Sequence, residues 1–318
     1  MEEAINIEST LKAYKKYEAQ LPTLPATDVA VFLSTLTPVL DVDKSIELTS
    51  VLIGGVSKKY NGKFDGDKKL ASLEHRTLTT GVITPEIASE PEELRSTYLA
   101  DKLKLKFDIM QHPFEKWLIE WGIVAAAQDL DLAIGTAKVN AAGAEITDAF
   151  DSFEEIIKKD IVDGKISAEK KNLVDLGAAI TAANAGVKLL AMWRAADKKL
   201  RKAAKVEMRI SQDDYDAYED WYANTHDRLP SVDTSGQVYL EGTQKKVVLM
   251  PYTEWTPQRV VLTIPGNMVY GTKSLDAMKR ILPFESGNPH LYTATGKYNF
   301  GLQFRSVHSS VFITNKLY

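Results

Sequence analysis

Residues 112–136, HPFEKWLIEWGIVAAAQDLDLAIGT, are the longest run of helix-period apolar residues, with stop signals at both ends, and they constrain the fold more than any other stretch. Pro113 suits the first helical position, where its missing N–H costs nothing, and Glu115 and Glu120 lie toward the positive end of the helix dipole. Phe114, Trp117, Leu118, Trp121, Ala125 and Leu132 follow helical spacing on one face. Ile119, Ile123, Ala126, Leu130 and Ile134 form a second stripe beside it, leaving only a narrow polar strip through Lys116, Glu120 and Asp131. Gly135 supplies an end. A helix of this length spans about 35 Å at about 1.5 Å per residue. It reads as a central core helix, the spine to which the rest of the chain attaches.

A chain of 318 residues holds one large or two ordinary domains. With no cysteine, disulfides, thiolate metal sites and cysteine nucleophiles are excluded, and five scattered histidines leave little for zinc or triad chemistry. A net charge of −4 argues against a surface that coats nucleic acid throughout, though it leaves room for local basic patches. Neither an apolar run of about 18 residues nor a basic start followed by an apolar stretch occurs, so the expectation is a protein made in the cytoplasm without a membrane span.

Ile7, Leu11, Tyr14, Tyr17 and Leu21 recur at roughly helical spacing, giving an amphipathic segment whose apolar stripe is thin. Packing of Leu11 and Tyr14 on a neighbouring subunit is as reasonable as packing within the chain. Residues 28–40 read as a short helix stopped at Pro38. SIELTSVLIGGVSKKY and LEHRTLTTGVITPEI then flank a polar break as the arms of a long two-stranded hairpin. Such a hairpin buries little of itself and is marginal alone in water, so a neighbouring chain is expected to cover it. Lys58, Lys59, Lys63, Lys68 and Lys69 cluster toward its tip, either as solvated turn residues or as contacts to acidic groups on a partner.

Beyond the spine, Thr147 or Asp148 is positioned to cap a helix carrying Phe150, Phe153, Ile156 and Ile157, and Thr181 one carrying Ala183, Val187, Leu190 and Trp193. NLVDLG between them is a short strand. Val206, Met208 and Ile210 alternate as a strand, and Ser211 with Asp214 opens a helix with Tyr215, Tyr218 and Tyr222 on one face. The remainder is strand-rich. Helices and strands in segregated runs define an α+β class.

The residues carry few chemical motifs. GGVSKKYNGKF lacks the first glycine of a phosphate loop and has Phe64 where Ser or Thr would bind magnesium. No GxSxG, HExxH or GxGxxG occurs. Asp213, Asp214, Asp216, Glu219 and Asp220 suggest a hard-cation site, but carboxylates in early helical turns have a simpler dipole explanation. His308, Ser309 and Ser310 read as polar strand-surface residues. Lys198, Lys199, Arg201, Lys202 and Lys205 read as a solvated helix end, the charge run being short and without interleaved aromatics.

Six stretches share an order that points further: EPEELRSTYL, HPFEKWLIEW, NAAGAEITDAFDSFEEII, VEMRISQDDYDAYEDWY, VVLTIPGNMVYGT and TGKYNFGLQF. Together they resemble the major capsid proteins of tailed bacteriophages with the Hong Kong 97-type fold, in particular those of phages and prophages of the Bacteroides group. The resemblance implies an N-terminal arm (1–44) and an extended loop (45–93). It implies a peripheral domain (94–146 and 276–318) containing the spine helix, and an axial domain (147–275). It further implies a structural protein, not an enzyme and without a cofactor, that self-assembles through pentamers and hexamers into an icosahedral shell around double-stranded DNA. Lys58, Lys59, Lys63, Lys68, Lys69, Leu11 and Tyr14 become candidate inter-subunit contacts. Portal and scaffolding or other head proteins become partners, and the virion, assembled in the bacterial host cytoplasm, the location. Only residues 1–44 precede the loop, which leaves the source of scaffolding open. The alternatives are an encapsulin-like compartment shell and, from another class, an enzyme with a carboxylate site near Asp213–Asp220.

Overall fold

The spine forms as the apolar periodicity requires, but the sheets packed along it decide which of its stripes is buried. A computed structural model describes residues 28–53, 71–90, 94–95, 97–99, 114–234, 236–284 and 291–317. In chain order, α1 (Asp28–Ser34) leads into β1 (Thr37–Val39), then β2 (Ser45–Ile53), β3 (Ala71–Thr79), β4 (Gly81–Ile83) and β5 (Glu86–Ser89). The spine helix is α2 (Phe114–Thr136), followed by α3 (Phe153–Val162), β6 (Leu173–Val174), α4 (Ala185–Ala195), α5 (Lys198–Lys202), β7 (Val206–Ser211) and α6 (Gln212–His226). The strands β8 (Val238–Tyr239), β9 (Val247–Tyr252), β10 (Val261–Thr263), β11 (Met268–Gly271), β12 (Ile281–Pro283), β13 (Tyr292–Gly296), β14 (Tyr298–Phe304) and β15 (Phe312–Asn315) complete it.

These strands make a six-stranded sheet ordered β6-β15-β10-β7-β9-β8, a four-stranded sheet β1-β11-β14-β4, a three-stranded sheet β12-β13-β5, and the antiparallel hairpin β2-β3. The pairings β15 with β10 and β6, and β11 with β14, join segments on both sides of residue 275.

Three apolar cores result. The N-terminal half of the spine, through Trp117, Leu118, Ile119 and Ile123, packs on Tyr292, Ala294 and Ile281. Its C-terminal half, through Ala127, Leu130, Ala133 and Ile134, joins a core with Phe32, Phe153, Phe300 and Phe304. The third core lies between the six-stranded sheet and α4 and α6, around Leu189, Met208, Ile210, Tyr218 and Leu262. The Ile119–Ile134 stripe is thus the buried one, with Ala126 half-buried, whereas Trp121, Ala125 and Leu132 of the other stripe are exposed. Lys116, expected in the polar strip, is buried at 6% exposure. Gly135 does not end the helix: a Cβ there would stand 2.1 Å from the Glu254 carbonyl oxygen, so glycine is needed for close approach of that backbone.

Other local expectations shift for identifiable reasons. The helix before Pro38 closes earlier, with Thr35 and Leu36 amides bonding to Phe32 and Leu33 carbonyls, and Pro38 lies in the edge strand β1, where a missing donor is tolerated. Ser152, not Thr147 or Asp148, caps α3 by accepting from the Glu155 amide at 3.3 Å. α4 begins after Asn184, which accepts from the Thr181 amide, so Thr181 is the donor and not the cap. Ser211 caps α6 as its spacing requires. In β7 all six residues are buried: Glu207 and Arg209, on the face opposite Met208, form a 2.6 Å ion pair, and Arg209 also donates to Thr35.

Candidate assembly surface

The β2-β3 hairpin is fastened on one face and bare on the other, as strand alternation allows. On the inner face, Arg76 donates to the Phe304 carbonyl at 3.0 Å, to Gln303 at 2.8 Å and to Asp160 of α3 at 2.6 Å. Both charges of the Arg76–Asp160 pair are buried, and the other Asp160 oxygen is reached by the exposed Lys165 at 3.6 Å, so losing Asp160 strands Arg76 while losing Arg76 leaves Asp160 only that longer contact. Glu74 accepts from the Ser306 hydroxyl and the Val307 amide, and Ser50 donates to the Arg305 carbonyl at 3.0 Å. Leu78 is fully buried beneath the strand. Gly271 and Gly301 face one another across β11 and β14, and a Cβ at either would collide with Leu78 or with the Thr79 carbonyl oxygen. The paired glycines are what let the hairpin base cross the sheet so closely.

On the outer face, Val51 and Leu73 are directly opposed across the strands, and each is 59% exposed. Beside them His75 lies 3.0 Å from Glu47 and 3.2 Å from Thr49, giving an apolar pair flanked by a polar group. A concavity of about 370 Å³ runs next to Val51, between the hairpin and the turn at Pro265–Asn267. The exposed ridge Trp121–Ala125–Leu132 on the spine is a second uncovered apolar surface, Trp121 meeting only Trp117, in a tilted pair at 5.2 Å between ring centroids, among the described aromatic rings.

The residues singled out in the sequence fare differently. Lys58, Lys59, Lys63, Lys68, Lys69, Leu11 and Tyr14 lie outside the described residues. The acidic group is spread along α6: Asp214 is buried and accepts from the Ser211 hydroxyl, the Gln258 amide and the Gln258 side chain, while Asp216 accepts from Gln212. Burial raises the Asp214 carboxyl above its usual range. Among the described residues, no three His, Asp or Glu side chains stand close enough to hold a metal ion. His308 and Ser310 are in a turn ahead of β15, not on a strand, and Nδ1 of His308 lies 2.9 Å from the Ser310 hydroxyl while accepting from the Ser310 amide. That closes an exposed turn. Sequence reading missed Arg76, Val51 and Leu73; the lone arginine in an otherwise uncharged strand end, RTLTTG, was the available signal for the first.

No protein-family model and no curated protein matches the sequence. Solved structures do match. The chain is similar to one described as the satellite phage P4 procapsid including size determination (Sid) protein, at 9% identity over 96% of this chain and 98% of that one, with a TM-score of 0.52. It is also similar to the cyanophage A-1(L) capsid, at 11% identity over 90% and 91% of the two chains, with a TM-score of 0.50. At such identities the likeness is one of fold: the chain has the α+β, Hong Kong 97-type fold of phage capsid structures.

Proposed function

We propose that this chain is the major capsid protein of a tailed phage or prophage, a non-enzymatic tile that self-assembles through pentamers and hexamers into an icosahedral shell around double-stranded DNA. The observation that carries the reading is the hairpin: four side chains fasten its base while its opposed Val51 and Leu73 remain uncovered by their own chain. A fold that only needed to complete its own core would bury such a pair; a tile leaves it for a neighbour. The capsid-like fold supports the same reading.

In this proposal residues 45–93 are the extended loop, its hairpin lying over an adjacent subunit while β4 and β5 pair within their own chain, with Lys58, Lys59, Lys63, Lys68 and Lys69 meeting acidic groups there. Residues 1–44 are the arm, with Leu11 and Tyr14 on a neighbour. The peripheral region takes 94–146 and 276–318, and the axial region 147–275 gathers around the five- and sixfold positions. Portal and scaffolding proteins are the other head partners, assembly takes place in the bacterial cytoplasm, and the source lies among phages or prophages of the Bacteroides group. Electron microscopy of the purified protein, alone and with neighbouring head proteins, tests this: closed shells or rings of five and six are expected, and monomers under every condition would sink it. Deletion of residues 58–69 is expected to leave the monomer folded by circular dichroism while abolishing shells.

A further inference from the structure

The basic segment after α4 does not simply fray into solvent. α5 presents Lys198, Arg201 and Lys202 at spacings of three and four, which places them on one side of the helix. Buried Leu200 pins the helix to the core, and Asp197 caps it by accepting from the Lys199 amide at 2.7 Å. Arg201 lies over the Trp193 ring, 5.8 Å from its centroid, and Lys246 reaches across from the turn before β9 to the Arg201 carbonyl at 3.4 Å. With the turn Gly242–Gln244 as the opposite wall, these residues line an open concavity of about 370 Å³. The turn is held in shape by left-handed φ angles of 76° at Gly242, 55° at Gln244 and 60° at Lys245.

Four cations therefore converge on one hollow of a chain whose net charge is −4. Among the described residues none of the four forms an ion pair, in contrast to Lys159 and Lys165, which are bridged to Asp151, Asp160 and Asp163. The carboxylates adjacent in sequence are engaged elsewhere: Asp197 in its cap and Glu241 with the Tyr222 hydroxyl. Converging like charges without a counter-charge are unfavourable until an anion enters. A guanidinium fork beside point-charge ammonium groups suits phosphate oxygens, and the hollow falls at the small end of ligand pockets, about 300–1,000 Å³.

We propose that this hollow, formed by Lys198, Arg201, Lys202 and Lys246, binds a compact, multiply charged phosphate anion. The site is whole within one chain and does not rest on the shell reading. Calorimetric titration of the full chain at low salt with tripolyphosphate, and separately with a short DNA duplex, tests it. Saturable tripolyphosphate binding is expected, weakened at least about tenfold in the double variant Lys202→Gln, Lys246→Gln and unchanged in Lys297→Gln, an exposed lysine away from the hollow. Thermal melting of each variant separates loss of the site from loss of fold; Lys198→Gln, on the exposed helix side, provides a second reading should the double variant fail to fold. Absence of tripolyphosphate binding, equal weakening by Lys297→Gln, or binding of duplex with tripolyphosphate silent would each overturn the proposal.

Discussion

The hairpin and the six-stranded sheet use the same strand alternation to opposite ends. In β7 both faces are covered, Met208 and Ile210 by α4 and α6, Glu207 and Arg209 by each other, with Arg209 also over the Phe32 ring of α1, and every residue is buried. In β2 and β3 one face is bolted down and the other carries Val51, Leu73 and His75 into solvent. The sheet is therefore finished within one chain, whereas the hairpin has its anchoring but not its cover. Stability in the sheet comes from packing within the chain; in the hairpin the apolar area of Val51 and Leu73 contributes little, because most of it stays in solvent.

Removing the anchor is the most severe way to break this contrast. Arg76→Ala takes the bonds to Phe304, Gln303 and Asp160 from the hairpin base, leaves the buried Asp160 carboxylate only Lys165 at 3.6 Å, and is expected to cost about 3–5 kcal/mol in urea unfolding, more than a surface change of the same size. Replacing both partners with apolar residues, Arg76→Met with Asp160→Leu, is expected to recover most of that loss. A loss well under 1 kcal/mol for Arg76→Ala would mean the hairpin base is not fastened. Next in size is Leu262→Ala in β10, fully buried between β7 and β15, with an expected loss of about 2–5 kcal/mol and unchanged denaturant slope. Equal losses from Arg76→Ala and Leu262→Ala, each in a single transition, would place the hairpin base and the sheet in one cooperative unit.

Which of these features the sequence could reveal depends on how local their cause is. The Ser211–Asp214 cap is legible because both partners lie within four residues, and the hairpin arms are legible from their β-branched texture as far as Thr79; GVITPEI, read as the rest of the second arm, instead supplies β4 and the start of β5, which pair with β14 and β13 in other sheets. The spine is legible as a helix, yet its buried stripe is not, because Trp121 and Leu132 are as apolar as Ile123 and differ only in whether another element lies over them. Gly135 reads as a helix end in one dimension, and only the path of the Glu254 backbone gives its real cause. Pro38 misleads in the same way, since its tolerance depends on β1 being an edge. The basic residues of α5 read as a solvated end because Lys246, which helps turn that end into a hollow, is more than forty positions further on. Likewise the proposed assembly surface is marked by what fails to cover it, a property no single stretch contains.

A smaller effect is expected where the comparison is sharpest. Val51→Ser with Leu73→Ser alters an already exposed pair, so the monomer's unfolding free energy should move by no more than about 0.5 kcal/mol for each site, while assembly by light scattering should be impaired. A large monomer loss would show that the outer face is packed by its own chain after all. Intact assembly with an unchanged monomer would remove this pair from the interface.

The smallest effect concerns the sheet side, where closure is complete enough to perturb a proton. Burial raises the Asp214 carboxyl above its ordinary value of 3.8, outweighing the bonds from Ser211 and Gln258 that favour the charged form. The folded chain then holds this proton to higher pH than the unfolded chain, so the group's contribution is fully present below the unfolded value. It is lost as pH rises from 3.8 through the folded value, and constant above it. Asp214→Asn cannot titrate, and is expected to flatten the fall in stability over that window when urea midpoints are compared from about pH 3 to about pH 7. The variant also weakens the bonds Asp214 accepts from Gln258, which lowers the midpoint at every pH without tilting the profile. An unchanged slope would mean that Asp214 remains charged at the start of α6 in the folded chain and that its three donors outweigh the burial.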